Sequence, residues 1–370
     1  MKEPDSIVAQ RTPGSVTPSP RDLGEREREI LRDVIVTYIL SAEPVSSRSV
    51  ARQSRLGLSS ATIRNVMADL EEAGYLHQPH TSAGRVPTRD GYHLFIDALM
   101  EARQLPVRER RLIDETLLTS PVDLQQLLAA TVYLLKDLSH QVSIVLTPEM
   151  GETVLRAVEF VPVEGTKVLC VVVSASGFVD NKLLDTASPA TREELAWISN
   201  YLTDNFSGLN LRQIRQRLLH MMAEERAQVD RLMSLSIDLA RRGLSAEGER
   251  QVLFDGASEV LSQPELADIQ RVRQLFETFS QKARLLSLLN QTLGGRGVRV
   301  VIGEDSDLTS RLDFSLIATS YQAGDHSQGS LAVFGPSRME YPRLIPLVHY
   351  LGQALSRILT GTLAPEAKEC

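Results

Sequence analysis

Cysteine is nearly absent from this 370-residue sequence. The two that occur are Cys170, inside an apolar run at 168–173, and Cys370, the last residue. This spacing provides no disulfide framework, which excludes the disulfide-rich secreted domains and favours a cytoplasmic protein. Because its neighbours are apolar, Cys170 is predicted to be a buried packing residue and not a reactive thiol.

Long hydrophobic runs are missing as well. No stretch approaches the roughly 20 apolar residues that a membrane-spanning helix needs, so no membrane partner is expected. Residues 1–21 carry several prolines among small polar residues, which predicts a disordered tail and not a signal peptide. Residues 364–370 are predicted to form a second tail. The hydrophobic fraction of 42% is typical of folded domains, and the length predicts two or three of them.

Signatures of catalysis and of metal binding are also lacking. The sequence has no Walker loop and no GxSxG motif, and its seven histidines are scattered. His77, His80 and His93 have no cysteine or acid cluster beside them to complete a zinc site. The acidic segment 303–307 lacks the further ligands of a calcium loop and is expected to be a solvated turn. We therefore expect no catalytic residue, no metal and no cofactor.

The stretch 59–88 has the pattern of a DNA recognition helix followed by a wing. Apolar residues recur at helical spacing from Ile63 to Leu70, and Ser59 stands where an N-cap belongs. With this stripe in the core, the opposite face is small and polar, so it fits the floor of a major groove, where Asn pairs with adenine and Arg with guanine. The residues predicted to read bases are Ala61, Thr62, Arg64 and Asn65.

The segments around this helix complete the motif. Residues 25–40 and 44–54 have the patterns of two preceding helices, and 75–79 and 85–88 those of two strands joined by a turn. Together they predict a winged helix-turn-helix domain at 22–104. The residues predicted to contact phosphate, in the wing or near the helix, are Ser47, Arg48, Ser60, His80, Thr81 and Arg85. An ordinary amphipathic helix with a hairpin, or a protein-binding winged helix, is the alternative.

The charge distribution allows a nucleic-acid partner. The chain has a formal net charge of −7, whereas the segment 44–89 has six arginines and only three acids. Attraction to phosphate depends on where charge lies, so the acidic total does not exclude binding to double-stranded DNA.

Residues 44–88 resemble the winged helix of the HrcA heat-inducible transcription repressors, without a gap. The segments 254–266 and 331–348 resemble two further blocks of this family, and the resemblance covers roughly 22–362. It implies a homodimeric repressor of class I heat shock operons, which encode chaperones. The family binds an inverted-repeat operator called CIRCE, and its activity depends on the chaperonin GroEL.

The rest of the chain predicts an α+β multidomain protein. Strand patterns occur in two groups, at 142–184 and at 298–334, and are expected to form one sheet domain in two parts, 105–210 and 291–363. A charged segment at 108–114 and an apolar helix at 124–138 are expected to link this domain to the DNA-binding one. Residues 211–290 have a helical pattern. In the family this arrangement corresponds to a GAF-like domain interrupted by a dimerisation domain.

The role of the helical block stays open at this point. Its amphipathic helices suit a two-fold contact in a homodimer, and a helical cap on the sheet domain is the alternative. The run 168–173 is uncharged and of high β-propensity. If its partners are the strands made much later, it stays exposed during folding, which offers a physical reason for chaperonin dependence.

Two other classes of function compete with a repressor controlled by a protein partner. A winged-helix regulator that responds to a small molecule in the GAF-like pocket is one, although no polar cluster aimed at a pocket is visible in the sequence. The other is an enzyme, because the segment 294–297 is similar to the glycine-arginine loop of bifunctional biotin ligase repressors. That loop should follow the DNA-binding domain closely, whereas here it lies in the last quarter of the chain.

Overall fold

The computed structural model describes most of the chain: residues 23–80, 83–100, 104–119, 124–148, 153–175, 179–224, 231–244, 250–261, 263–266, 270–274, 286–287, 289–290, 297–306, 309, 313–324 and 327–360. The two predicted tails, Thr81 and the loop residues 294–296 lie outside the described residues.

The N-terminal unit consists of four helices and a short hairpin. Its elements are α1 (Glu25–Ser41), α2 (Ser47–Gln53), α3 (Ser60–Glu72), β1 (Leu76–His77), β2 (Val86–Pro87) and α4 (Arg89–Leu94), which continues into a π-helical turn (Phe95–Leu99). Three of the helices begin at a hydroxyl cap, since Ser46, Ser59 and Thr88 each accept a bond from the backbone N–H three residues further on. The predicted secondary structure of this unit is confirmed, with the second helix and both strands shorter than expected.

Further elements follow in the described residues. They are α5 (Val107–Thr119), α6 (Leu124–Ser139), β3 (Val142–Leu146), β4 (Leu155–Glu164), β5 (Lys167–Ser174), β6 (Val179–Asp185), α7 (Arg192–Phe206), α8 (Leu211–Glu224), α9 (Arg231–Gly243), β7 (Val252–Asp255), α10 (Ala257–Leu261), β8 (Val298–Ile302), β9 (Phe314–Ala323), β10 (Ser327–Pro336) and α11 (Tyr341–Leu359). Among the helices of the described ranges, none is long and apolar enough to cross a membrane.

The main sheet has five antiparallel strands in the order β7–β3–β10–β9–β8. Its residues alternate between two apolar clusters, one on each face, as the two-residue period of a strand requires. Residues of α5, α6 and α11 belong to the cluster on one face, and this cluster continues without a break into the interior of the N-terminal unit, from Ile30 to Leu359.

The helices α5 and α6 correct an expectation, because they are not a linker. Their apolar sides are buried against α11 and the main sheet. The charged positions that suggested a linker are paired with α11: Glu109 lies 3.3 Å from Arg343, and Asp114 accepts a 2.7 Å bond from the Tyr350 hydroxyl. The charged residues of α5 therefore belong to an interface with α11 and not to a solvent-exposed linker.

The expectation of a single split sheet is wrong in part. Only β3 of the early strands pairs with the late ones, through β10 and β7. The strands β4, β5 and β6 form a separate antiparallel sheet, whose inner face packs against α7, α8 and α9. Each strand of this second sheet pairs with its neighbour in sequence, as hairpins favour. The segment inserted into the main sheet thus lies between β3 and β7, and it begins well before residue 211.

This topology also changes the prediction for the run 168–173. It pairs with β4 and β6, which flank it directly in the chain, so it does not wait for strands made much later. The expectation that Cys170 is buried is confirmed, and burial raises the pKa of its thiol to about 12.

Candidate nucleic-acid interface

The helix α3 presents two faces of opposite character. Its apolar stripe, from Ile63 to Leu70, is buried in the N-terminal unit. The Ser59 hydroxyl caps its first turn by accepting a 3.1 Å bond from the Thr62 N–H, and the same hydroxyl lies 2.8 Å from that of Thr62. A capped, packed helix of this kind holds its outer face in a fixed orientation.

The side chains predicted to read bases lie on that outer face. Ala61, Arg64 and Asn65 are exposed, and Thr62 is partly exposed with its hydroxyl held at the cap. The adjacent Ala68 is exposed and small as well. The structure brings these positions together on one surface, and their contact with base edges stays a prediction.

The hairpin that follows α3 is anchored at its base. Leu76 and His77 pair with Pro87 and Val86. On its other side, Arg85 exchanges two backbone hydrogen bonds, of 2.8 and 2.9 Å, with Val45 just before α2. A Cβ at Gly84 would lie 2.3 Å from the Val45 carbonyl oxygen, so only glycine allows this close approach.

A carboxylate at the end of α3 connects the helix to this hairpin. One oxygen of Glu71 lies 2.8 Å from the Arg85 guanidinium, and the other accepts a 3.1 Å bond from the backbone N–H of Gln78. The side chain of Gln78 in turn donates to the Ala83 carbonyl. Glu71 therefore connects both strands of the hairpin to the end of the predicted recognition helix and holds them in a fixed position beside it. In the sequence, Glu71 counted only as one of the three acids of the segment 44–89.

The residues predicted to contact phosphate fall into different environments. Arg48 and His80 are exposed, and Ser60 is partly exposed. Ser47 is buried, so its side chain is poorly placed for an external ligand. The Arg85 side chain is 18% exposed and forms an ion pair with Glu71. Thr81 lies outside the described residues.

The N-terminal unit meets the main sheet unit at a polar joint. Asp305, 7% exposed, accepts a 2.7 Å bond from the His93 ring and a 3.0 Å bond from the Ile302 N–H, and Arg89 lies 3.7 Å away. Burial alone would raise the pKa of Asp305, but these hydrogen bonds and the Arg89 charge outweigh it and hold that pKa below its ordinary value. The expected solvated turn at 303–307 is thus wrong for Asp305.

A second set of polar contacts lies at the same joint. Arg338 donates to Glu265 and Gln263, and its third contact is the Ile39 carbonyl at the end of α1, 3.5 Å away. Close by, the rings of Tyr92 and Tyr341 pack with centroids 5.8 Å apart. No local pattern in the sequence indicates these contacts, because their members are far apart in the chain.

Known proteins resemble this chain over most of its length. The family model described as the HrcA protein C-terminal domain matches residues 125–345. A heat-inducible transcription repressor HrcA of Geobacter sulfurreducens is 40% identical, over 92% of this chain and 99% of that protein. The protein of the same name from Xanthomonas campestris pv. campestris is 38% identical, over 90% of this chain and 95% of that one.

A solved structure shares the fold. The crystal structure of a hypothetical protein superposes with a TM-score of 0.63 at 24% sequence identity, covering 92% of this chain and 100% of that one. This likeness concerns the fold alone.

Proposed function

The chain belongs to the HrcA family of heat-inducible transcription repressors, and on this premise we propose that it represses class I heat shock operons by binding an inverted-repeat operator of the CIRCE type as a homodimer. The N-terminal unit serves as a winged helix-turn-helix domain in this proposal, and the main sheet with α5, α6 and α11 as a GAF-like domain. The proposal is of a cytoplasmic DNA-binding protein and not of an enzyme.

The outer face of α3 carries this proposal. Arg64 and Asn65 are exposed beside Ala61 and Ala68, whose small side chains allow the backbone to approach base edges. A bidentate contact from either polar residue is worth about 1 to 3 kcal/mol of discrimination against a wrong base. The acids of α3 lie in its C-terminal half, and Glu71 is bonded to the hairpin, so the N-terminal half is the part suited to enter a groove.

Homodimer formation is supported by the outer face of the inserted sheet. Val161, Leu169 and Leu183 lie opposite one another across β4, β5 and β6, and Leu183 is 58% exposed. Directly opposed residues of antiparallel strands share a face, so this row forms an apolar strip. A dimer buries such a strip and presents two α3 helices to the two halves of an inverted repeat.

Dependence on the chaperonin GroEL is supported by the position of β3. All five of its residues are buried, and both its partner strands, β7 and β10, follow more than a hundred residues later in the chain. Until they are made, β3 has no partner and is free to pair with other chains. We expect chaperonin with ATP to increase the recovery of operator-binding dimer on refolding, most strongly at heat-shock temperature. Equal recovery without it at both temperatures would contradict this part of the proposal.

The decisive experiment for the whole proposal is a gel shift on an inverted-repeat operator, with scrambled DNA and a single half-site as controls, at several salt concentrations. Specific binding should exceed binding to scrambled DNA by about a thousandfold or more, as is usual for sequence-specific proteins. Asn65→Ala should remove most of this preference, while Asn205→Ala, an exposed asparagine on α7, should leave it unchanged. Equal affinity for operator and scrambled DNA would overturn the proposal.

A further inference from the structure

We propose that the cleft between the N-terminal unit and the main sheet unit is a binding site for a small organic cation, an alkylammonium or guanidinium compound. The cleft measures about 550 Å³, within the range of small-molecule sites. One wall is formed by Tyr38 on α1, His77, the segment 86–90 and Tyr92. The other is formed mainly by Glu265, Asp313 and Arg338.

The charges in this cleft favour a cation. Three carboxylates, those of Asp90, Glu265 and Asp313, and the two guanidinium groups of Arg89 and Arg338 line it. Both arginines are already paired, Arg338 with Glu265 and Arg89 with Asp90 and more distantly with Asp305.

Asp313 is the one of these three carboxylates without an ion-pair partner among the described residues. One of its oxygens accepts a 3.1 Å bond from the Ser337 hydroxyl, and within the described part of the chain no cationic side chain lies at ion-pair distance from it. A ligand that carries positive charge would supply the missing partner, whereas an anion would be repelled.

A buried phenol gives the second, independent indication. Tyr92 lines the cleft and is 3% exposed, and its hydroxyl has no hydrogen-bond partner among the residues that are described. A buried hydroxyl without a partner is costly, and an N–H donor in the cleft would satisfy it. Tyr38, on the same wall, adds a second aromatic ring, whose face attracts a cation. An ammonium or guanidinium group has both properties, a positive charge and several N–H donors.

The phenols stay protonated in this environment. Burial, followed by the carboxylates of Asp313 and Glu265, raises the pKa of Tyr38. Burial, followed by the neighbouring phenol of Tyr341, raises that of Tyr92 well above its ordinary value. Both hydroxyls are therefore neutral at physiological pH and do not compete with Asp313 for the charge of the ligand.

A ligand in this cleft would contact both units at once. It would stabilise one orientation of the N-terminal unit against the sheet, and thereby one placement of α3. This consequence rests on the proposed function, whereas binding itself does not.

The test is calorimetric titration of the full chain, without DNA, with putrescine as the probe and 1,4-butanediol as its uncharged analogue of equal length. We expect putrescine to bind with a dissociation constant below about 1 mM and butanediol to give no signal. Asp313→Asn and Tyr92→Phe should each weaken putrescine binding about tenfold or more, since each removes one of the two groups that recognise it. Asn tolerates the left-handed backbone at 313, where φ is 54°, so Asp313→Asn should fold, and its thermal unfolding checks this.

Asp204→Asn, at an exposed acid on α7, is the matched control and should leave the affinity unchanged. The proposal is overturned if putrescine gives no signal or if butanediol binds equally well. It is also overturned if Asp313→Asn and Asp204→Asn have the same effect, because equal effects would indicate nonspecific attraction to an acidic protein. A gel shift without putrescine tests the proposed function separately, so the two failures are distinguishable.

Discussion

Arg48 and Arg85 should support DNA binding in two different ways, although both were predicted from sequence to contact phosphate. Arg48 is exposed on α2, and none of the described acids lies at ion-pair distance from it. Arg85 is largely covered, with its guanidinium 2.8 Å from Glu71. We therefore expect Arg48 to contact phosphate directly and Arg85 to act mainly by positioning the hairpin.

The salt dependence of binding separates these roles. Each phosphate contact contributes about 0.9 to the slope of log affinity against log salt, so Arg48→Ala should lower the slope of a dimer by about 1.8. Arg85→Ala should lower it by clearly less, since its charge is already neutralised by Glu71. It should instead reduce stability by about 1 kcal/mol, the usual size for a partly buried, hydrogen-bonded ion pair. Its DNA affinity should also fall, because the hairpin loses a support and Glu71 is left unpaired near phosphate.

Fluorescence anisotropy on an operator duplex at four salt concentrations, combined with thermal unfolding, measures both effects. Arg192→Ala, at an exposed arginine on α7, is the control and should change neither. Glu71→Gln keeps an oxygen for the Gln78 N–H but removes the charge, so it should lower stability less than Glu71→Ala does. If the Arg85 and Arg48 variants lower the slope equally, Arg85 leaves Glu71 on binding and the positioning role is refuted.

Three further predictions follow from other parts of the molecule. Arg64→Ala or Asn65→Ala should remove most of the operator preference with folding intact, at a cost of about 1 to 3 kcal/mol per half-site, and unchanged discrimination in a gel shift would refute the assignment of α3. Leu183→Asp should give a monomer by light scattering while Asn205→Asp, at an exposed asparagine on α7, stays dimeric, and a dimer in both would exclude this sheet face as the interface. Because the pKa of Asp305 is lowered, its stabilisation should be full above about pH 4, the ordinary value for Asp, and disappear as the pH falls through the lowered pKa. Asp305→Asn should therefore unfold more readily than the natural chain at pH 6, and this difference should shrink as the pH falls below about 4, whereas a difference independent of pH would contradict this.

The predicted recognition helix could be recognised from sequence because its signals are local. A cap at Ser59 and an apolar stripe from Ile63 to Leu70 specify a helix, its start and its buried face without reference to any other segment. The hairpin was visible for the same reason. The interaction of Glu71 with Arg85 lies between these two elements, and a carboxylate at a helix end looks the same in sequence whether it faces solvent or a guanidinium.

The sheet pairing could not be predicted in the same way. The alternation of apolar residues specifies that β3 and β5 are strands, but carries no information about which strand lies beside which. The assumption that all strands share one sheet failed because β5 finds both its partners in adjacent hairpins. The observed pairing also limits how the helical block can be tested by deletion. Removal of residues 212–288 would take away β7, a strand of the main sheet, together with α8 and α9.

The continuous apolar cluster between the two units has a consequence for operator recognition. Residues of α1, α3 and α4 share this cluster with α5, α6 and α11, so the predicted recognition helix is packed, through its own domain, against the main sheet. In the proposed dimer, the distance between the two α3 helices is then set by the inserted sheet, which joins the subunits, and by the joint at Asp305 and Arg338. An inverted repeat requires half-sites separated by about one helical turn of DNA, roughly 34 Å, or a multiple of it. A small rotation at this joint changes that separation for both subunits at once, so ligands or substitutions at the joint should alter the preferred spacing of the half-sites before they alter the bases that are read.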